Sequence, residues 1–156
     1  MEIHDGENML NDTRIYYFIL SEDMTNIGAF DEKKKMLIYE PFYKRKMSLP
    51  SKLKFCITSA MHLHEPKNNR ITAEFRDPSG NVLDVLPLSE LMLENNNDIE
   101  KIKSVDGGVS VATQQGIEVD TAGEYHFVVL LNDEVTLFTA PVIIENENGD
   151  SSDDDE

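Results

Sequence analysis

Side chains of this chain alternate between apolar and polar with a period of two over much of its length. From Lys52 to Leu63, the residues Leu53, Phe55, Ile57, Ser59, Met61 and Leu63 point one way, and Lys52, Lys54, Cys56, Thr58, Ala60 and His62 the other. One apolar face at that period predicts a half-buried strand. Arg70 to Arg76 repeats the pattern with Ile71, Ala73 and Phe75 inward. Asp77-Pro-Ser-Gly-Asn81 then predicts a turn, because proline presets φ and Gly80 or Asn81 tolerates a positive φ. Asn81 to Leu86 returns as the partner strand of a hairpin, stopped by Pro87.

Denser apolar runs flank these segments. Arg14 to Leu20 is β-branched and aromatic and predicts a buried strand. Ser21 to Lys34 reads as a polar connection, and Lys35 to Glu40 as a short strand closed by Pro41. Near the end, Tyr125 to Leu131 and Glu134 to Thr139 surround Asn132-Asp133, a two-residue loop that predicts a β-hairpin. The second run continues past Pro141 to Ile144.

The middle is less regular. Leu88 to Glu94 predicts a short helix with Ser89 as its cap and Leu91 and Met92 on its buried side. Ile99 to Gly108 fits neither period, and its Asp106-Gly-Gly108 reads as a turn. Gly108 to Thr113 and Ile117 to Val119 are weaker strand candidates. Seven to nine short strands, one short helix and no long crossover helices predict an all-β fold. The expected architecture is an antiparallel β-sandwich, immunoglobulin-like or jelly-roll-like, over residues 13–145. Residues 1–12 read as a flexible acidic arm and 146–156 as a disordered acidic tail.

Charge refines this picture. The net charge is −16, and the segment from Glu145 to Glu156 holds seven of the 30 acids. Without it, 23 acids face 14 basic residues, a net charge of −9. Eight of those cations lie between Lys33 and Lys54 with Glu40 as the sole acid, a local +7. Within that stretch Phe42, Tyr43, Lys44, Arg45 and Lys46 combine aromatics with cations and form the candidate partner-binding segment. Such a mixture can grip a nucleic acid, but the overall charge repels a polyanion. Attraction between the basic segment and the acidic tail is the competing expectation.

Candidate chemistry is sparse. His62 and His64, at i and i+2 on one strand face, are a possible metal pair. His126, His4 or Glu65 would have to supply a third ligand through tertiary contact. Cys56 sits between Phe55 and Ile57, where a thiol usually behaves as a small hydrophobe. No Gly-x-Ser-x-Gly elbow and no phosphate-binding glycine motif occurs. No catalytic residue, metal or cofactor is therefore expected. A lone cysteine, an N-terminus without signal-peptide character and no apolar run of transmembrane length predict a cytoplasmic protein outside the membrane.

Two resemblances add to this reading. Ile15 to Leu20, Lys35-Met-Leu-Ile-Tyr39 with Phe42, Phe75-Arg-Asp-Pro-Ser-Gly-Asn-Val82, Ala122-Gly-Glu-Tyr-His-Phe-Val-Val and Ala140-Pro-Val142 carry the first. Together they resemble small bacterial and phage proteins known only as a domain of unknown function and expected to be β-sandwiches. That likeness implies a fold and no activity. The chain departs from the family's usual glycine ahead of the aromatic, with Glu40-Pro41 before Phe42, and in the insertion from Leu88 to Gly108.

The second lies in Asp120-x-x-Gly-x-Tyr125, which resembles the tyrosine corner of immunoglobulin-like sandwiches without their cysteines and core tryptophan. It implies a buried Tyr125 ring whose hydroxyl bonds a nearby backbone group.

The functional expectation is a non-enzymatic interaction module that binds another protein. One alternative is a small-ligand or carbohydrate-binding sandwich using Tyr39, Tyr43 and Phe42. Another is an acidic nucleic-acid mimic that inhibits a host protein.

Overall fold

A computed structural model describes residues 12–27, 35–94, 99–113 and 115–147. Most of the expected N-terminal arm, His4, Lys33, Lys34 and the tail beyond Glu147 lie outside the described residues. Alternation builds two stacked sheets, as expected, but with eleven strands among the described residues rather than the expected seven to nine. The first sheet has the order β2-β1-β5-β8, from β1 (Arg14–Ile27), β2 (Lys35–Pro41), β5 (Cys56–His64) and β8 (Ser104–Ala112). The second has the order β3-β11-β10-β6-β7, from β3 (Lys44–Met47), β6 (Ile71–Arg76), β7 (Val82–Leu86), β10 (Gly123–Leu131) and β11 (Val135–Asn146). A small ladder of β4 (Ser51–Leu53) and β9 (Ile117–Val119) brings Leu53, Ile117 and Val119 into the core. No helix among the described residues is long and apolar enough to cross a membrane.

Between the sheets lies an aromatic centre. The Phe127 ring sits 4.7 Å from Phe75, 5.3 Å from Phe55 and 5.4 Å from Phe18, joining both layers. Leu53, Phe55, Ile57, Ser59, Met61 and Leu63 are all buried, as their alternation predicts. The β10–β11 hairpin turns at Asn132 (φ 54°) and Asp133 (φ 62°), the two positive dihedrals a two-residue turn needs. The β6–β7 hairpin turns where Gly80 takes φ 92° and the Asp77 carboxylate accepts from the backbone N–H groups of Ser79 and Asn81.

Tyr125 completes the corner that its motif suggests. Its ring is 2% exposed and stacks on Phe75 at 5.5 Å, while its hydroxyl donates to the Thr121 carbonyl at 2.7 Å. Gly123 ahead of it has φ 151°, and a Cβ there would come within 2.7 Å of Pro78. Glycine is needed to seat the β6–β7 turn against the start of β10. The run β6-β10-β11, with its corner on β10, follows the order of the immunoglobulin-type C–F–G sheet.

Five local expectations are corrected. Ser21 to Ile27 is strand rather than connection, because β1 runs on to pair with β2 in antiparallel register. Lys52 to Leu63 is broken at Lys54-Phe55, where the chain passes from the small ladder to the first sheet. Phe55 is held there by Thr113, whose hydroxyl accepts the Phe55 N–H at 2.9 Å. Asp106-Gly-Gly108 lies inside β8, paired with Ala60, Met61 and His62. Bare Gly107 leaves room for Met92, whose sulfur lies 2.7 Å from where a Cβ would stand.

Ser89 does not cap the helix α1 (Leu88–Met92), which begins after Pro87 without a side-chain cap. Its hydroxyl is buried and accepts the Ile71 N–H at 2.8 Å, tying α1 to β6. Leu88, Ser89 and Leu93 are the buried residues there, whereas Leu91 is exposed. Finally, Tyr16 and Tyr17 are not buried, since Ile15, Phe18 and Leu20 are the residues of that run that pack on the core. A register shift between Ile15 and Tyr17 interrupts the alternation and leaves both rings toward solvent.

Candidate functional site: a lateral groove

Pairing in the two sheets is incomplete on the same flank. β2 joins β1 only over Ser21–Ile27, so the stretch from Arg14 to Leu20 has β5 on one edge and no strand on the other among the described residues. β3 joins β11 only over Ile143–Asn146, so the stretch from Val135 to Val142 is likewise open on one edge. The Phe18 and Phe138 rings, 5.9 Å apart, bring these two open stretches together. The link from β2 to β3 crosses this flank, with the Phe42 N–H donating to the Leu20 carbonyl at 3.0 Å and the Ile143 N–H to the Tyr43 carbonyl at 2.8 Å.

Those bonds shape an apolar groove of about 260 Å³ lined by Phe18, Ile19, Leu20, Pro41, Phe42 and Tyr43. Tyr43 is 66% exposed at its rim. Phe42 packs against the core, and the Arg45 guanidinium lies over its ring at 4.1 Å from the centroid.

The cations predicted beside these aromatics are used differently. Arg45 pairs with Glu22 of β1, and Lys44 pairs with Glu145 of β11 at 2.6 Å. Ser48 also donates to Glu147 at 3.1 Å. Part of the positive charge therefore joins β3 to its neighbours, Glu145 of β11 and Glu22 of β1. Phe42 and Tyr43 belong to the groove; Lys44 and Arg45 brace it; Lys46 follows on β3.

The three histidines among the described residues do not converge. His62 is on the outer face of the first sheet, where its Nδ1 lies 2.8 Å from Asp106 Oδ1. The same oxygen accepts the Tyr16 hydroxyl at 2.7 Å. These two hydrogen bonds, Tyr16 first, hold the Asp106 carboxyl below its ordinary range, aided by the positive charge of Arg14. His64 follows on the same strand face, its Nε2 shielded from solvent without a hydrogen-bond partner among the described residues.

His126 alternates with inward Tyr125 and Phe127 and so faces outward from the second sheet, 3.5 Å from Glu124. The core separates it from His62 and His64. No group of three or more His, Cys, Asp or Glu side chains placed to hold a metal occurs among the described residues. Cys56 is buried in β5. The Tyr16–Asp106–His62 cluster escaped sequence reading because its members lie 44 and 90 residues apart. Compared with models of known protein families and with curated proteins, the chain matches none.

Proposed function

We propose that this chain is a non-enzymatic interaction module that binds an extended segment of another protein in the lateral groove. The observation that carries the reading is an apolar, aromatic-lined groove along the β1 edge that no strand covers among the described residues, with the open stretch of β11 brought beside it through Phe138. Open edges offer backbone hydrogen bonds to an added strand, and the groove offers room for its side chains at alternate positions. Tyr43 supplies an exposed aromatic anchor, the residue type that dominates binding hot spots. The acidic surface favours a segment with basic residues beside its apolar ones.

Selection from a display library of random peptides tests this. The reading expects a consensus with apolar residues at i and i+2, and a Tyr43→Ala variant that binds the selected peptide about ten- to a hundredfold more weakly. No consensus, or one that binds the variant equally well, would defeat it.

A small-ligand or carbohydrate-binding reading finds support at another place. Tyr16 is 51% exposed, with its hydroxyl fixed by Asp106 and His62 beside it. Aromatic faces beside fixed polar groups suit a neutral ring. A glycan thermal-shift screen would reveal it as a rise in melting temperature abolished by Tyr16→Ala.

A further inference from the structure

The second sheet ends, on the flank away from the groove, in an edge strand that is unusually apolar. Among the described residues β7 pairs with β6 alone, and its Val82, Leu83 and Val85 are 47%, 39% and 48% exposed. Edge strands are normally blunted by lysine, proline or a covering element. β7 has neither residue, and its one charge, Asp84, accepts the N–H of the adjoining Val85 at 2.9 Å.

Below this edge is a hollow of about 270 Å³ lined by Leu83, Asp77, Ser79, Glu118, Asp120, Thr121 and Tyr125. It presents three carboxylates and no cation. Lys52, opposite Glu118 in register, lines the neighbouring hollow instead.

We infer that the β7 edge is a second docking surface, which takes an extended, apolar segment of a partner protein with a lysine or arginine directed into the hollow beneath Leu83. Charge decides the occupant. A second copy of this chain, added antiparallel about the strand centre, would set Asp84 against Asp84. Each copy also carries a net charge of −16. Like charges placed directly opposite across strands are destabilising. An acidic segment or a nucleic acid would meet the same repulsion. A basic side chain meets complementary charge, while main-chain pairing and contacts with Val82 and Val85 supply the rest. With the groove on the other flank, the chain would hold two extended segments at once.

A display selection of extended peptides on the full chain carrying Tyr43→Ala, which weakens the groove, keeping only peptides that do not compete with the groove's own consensus peptide, isolates this edge. The expected result is a consensus with alternating apolar positions and one fixed lysine or arginine. A peptide with glutamate at that position should bind about tenfold or more weakly. The Glu118→Gln, Asp120→Asn double variant, changed at two exposed positions, should lose that discrimination and still bind the apolar frame. An acidic or charge-indifferent consensus, no consensus at all, or concentration-dependent dimers that consume the edge would each overturn the proposal.

Discussion

Replacing Tyr125 by phenylalanine isolates the bond that closes the corner between β9 and β10. The phenylalanine ring keeps the stacked contact with Phe75 and the buried volume, so the change removes one hydroxyl and its 2.7 Å bond to the Thr121 carbonyl. A net intramolecular hydrogen bond is worth about 0.5–1.5 kcal/mol. Thr121 is exposed, so water can reach its carbonyl once the hydroxyl is gone and spare it a full desolvation penalty. The expected loss is therefore about 1 kcal/mol, or about 2–4 °C in Tm for a chain of this size.

Tyr125→Ala also removes the ring and should cost about 3–5 kcal/mol, the range for truncating a buried aromatic residue. Urea unfolding followed by far-ultraviolet circular dichroism measures both, with unchanged m-values marking a pure stability effect. A neutral Tyr125→Phe would mean the bond contributes nothing. A loss as large as that of Tyr125→Ala would mean that the hydroxyl, and not the ring, holds the corner.

Three more outcomes follow from the same reasoning. Phe127→Ala, which empties the point where four aromatic rings meet, should cost about 3–5 kcal/mol in the same titration. Ser89→Ala strands the buried Ile71 N–H and should cost about 1–3 kcal/mol; a helix cap exposed to water would be restored by Ser89→Asp, and this position should not be. Asp106 has a folded pKa below its unfolded value of 3.8, so its stabilisation is present above that value and disappears as pH falls through the folded one. Asp106→Asn should thus flatten the fall of the urea midpoint on the acid side of about pH 4 and lower the midpoint at neutral pH.

The central layers of the fold were legible because they obey one rule over many residues. Ile57 to Leu63 and Ile71 to Phe75 place their apolar residues inward at every second position, and Asn132-Asp133 and Asp77 to Asn81 carry turn chemistry of their own. Where a residue's place depends on a distant partner, local pattern misled. Ser21 to Ile27 is polar yet lies in a strand, because β2 returns alongside it. Gly107 and Gly108 suggest a turn, but β5 pairs with them and Met92 needs the space. Ser89 has the chemistry of a cap and spends it on Ile71.

The candidate site was half legible. Phe42 and Tyr43 stood out as aromatics in a polar stretch, and both border the groove. The cations beside them suited either a partner's acids or the chain's own, and Lys44 and Arg45 answer acids of this same chain, Glu145 and Glu22. Nothing local tells an ionic brace from a binding patch; the parallel pairing of β3 with β11 does. The groove itself arises from two unfinished ladders, and strand pairing is a property of the assembled sheets.

Amide hydrogen–deuterium exchange on the full chain, with and without a peptide selected on the wild-type groove, tests the lateral site most directly. Binding by strand addition slows exchange from Tyr16 to Ile19 or from Val135 to Ala140, together with the link through Phe42 and Tyr43, and leaves the β5 amides unchanged. Protection confined to other strands, or none at saturating peptide, would contradict a partner held between the two open edges.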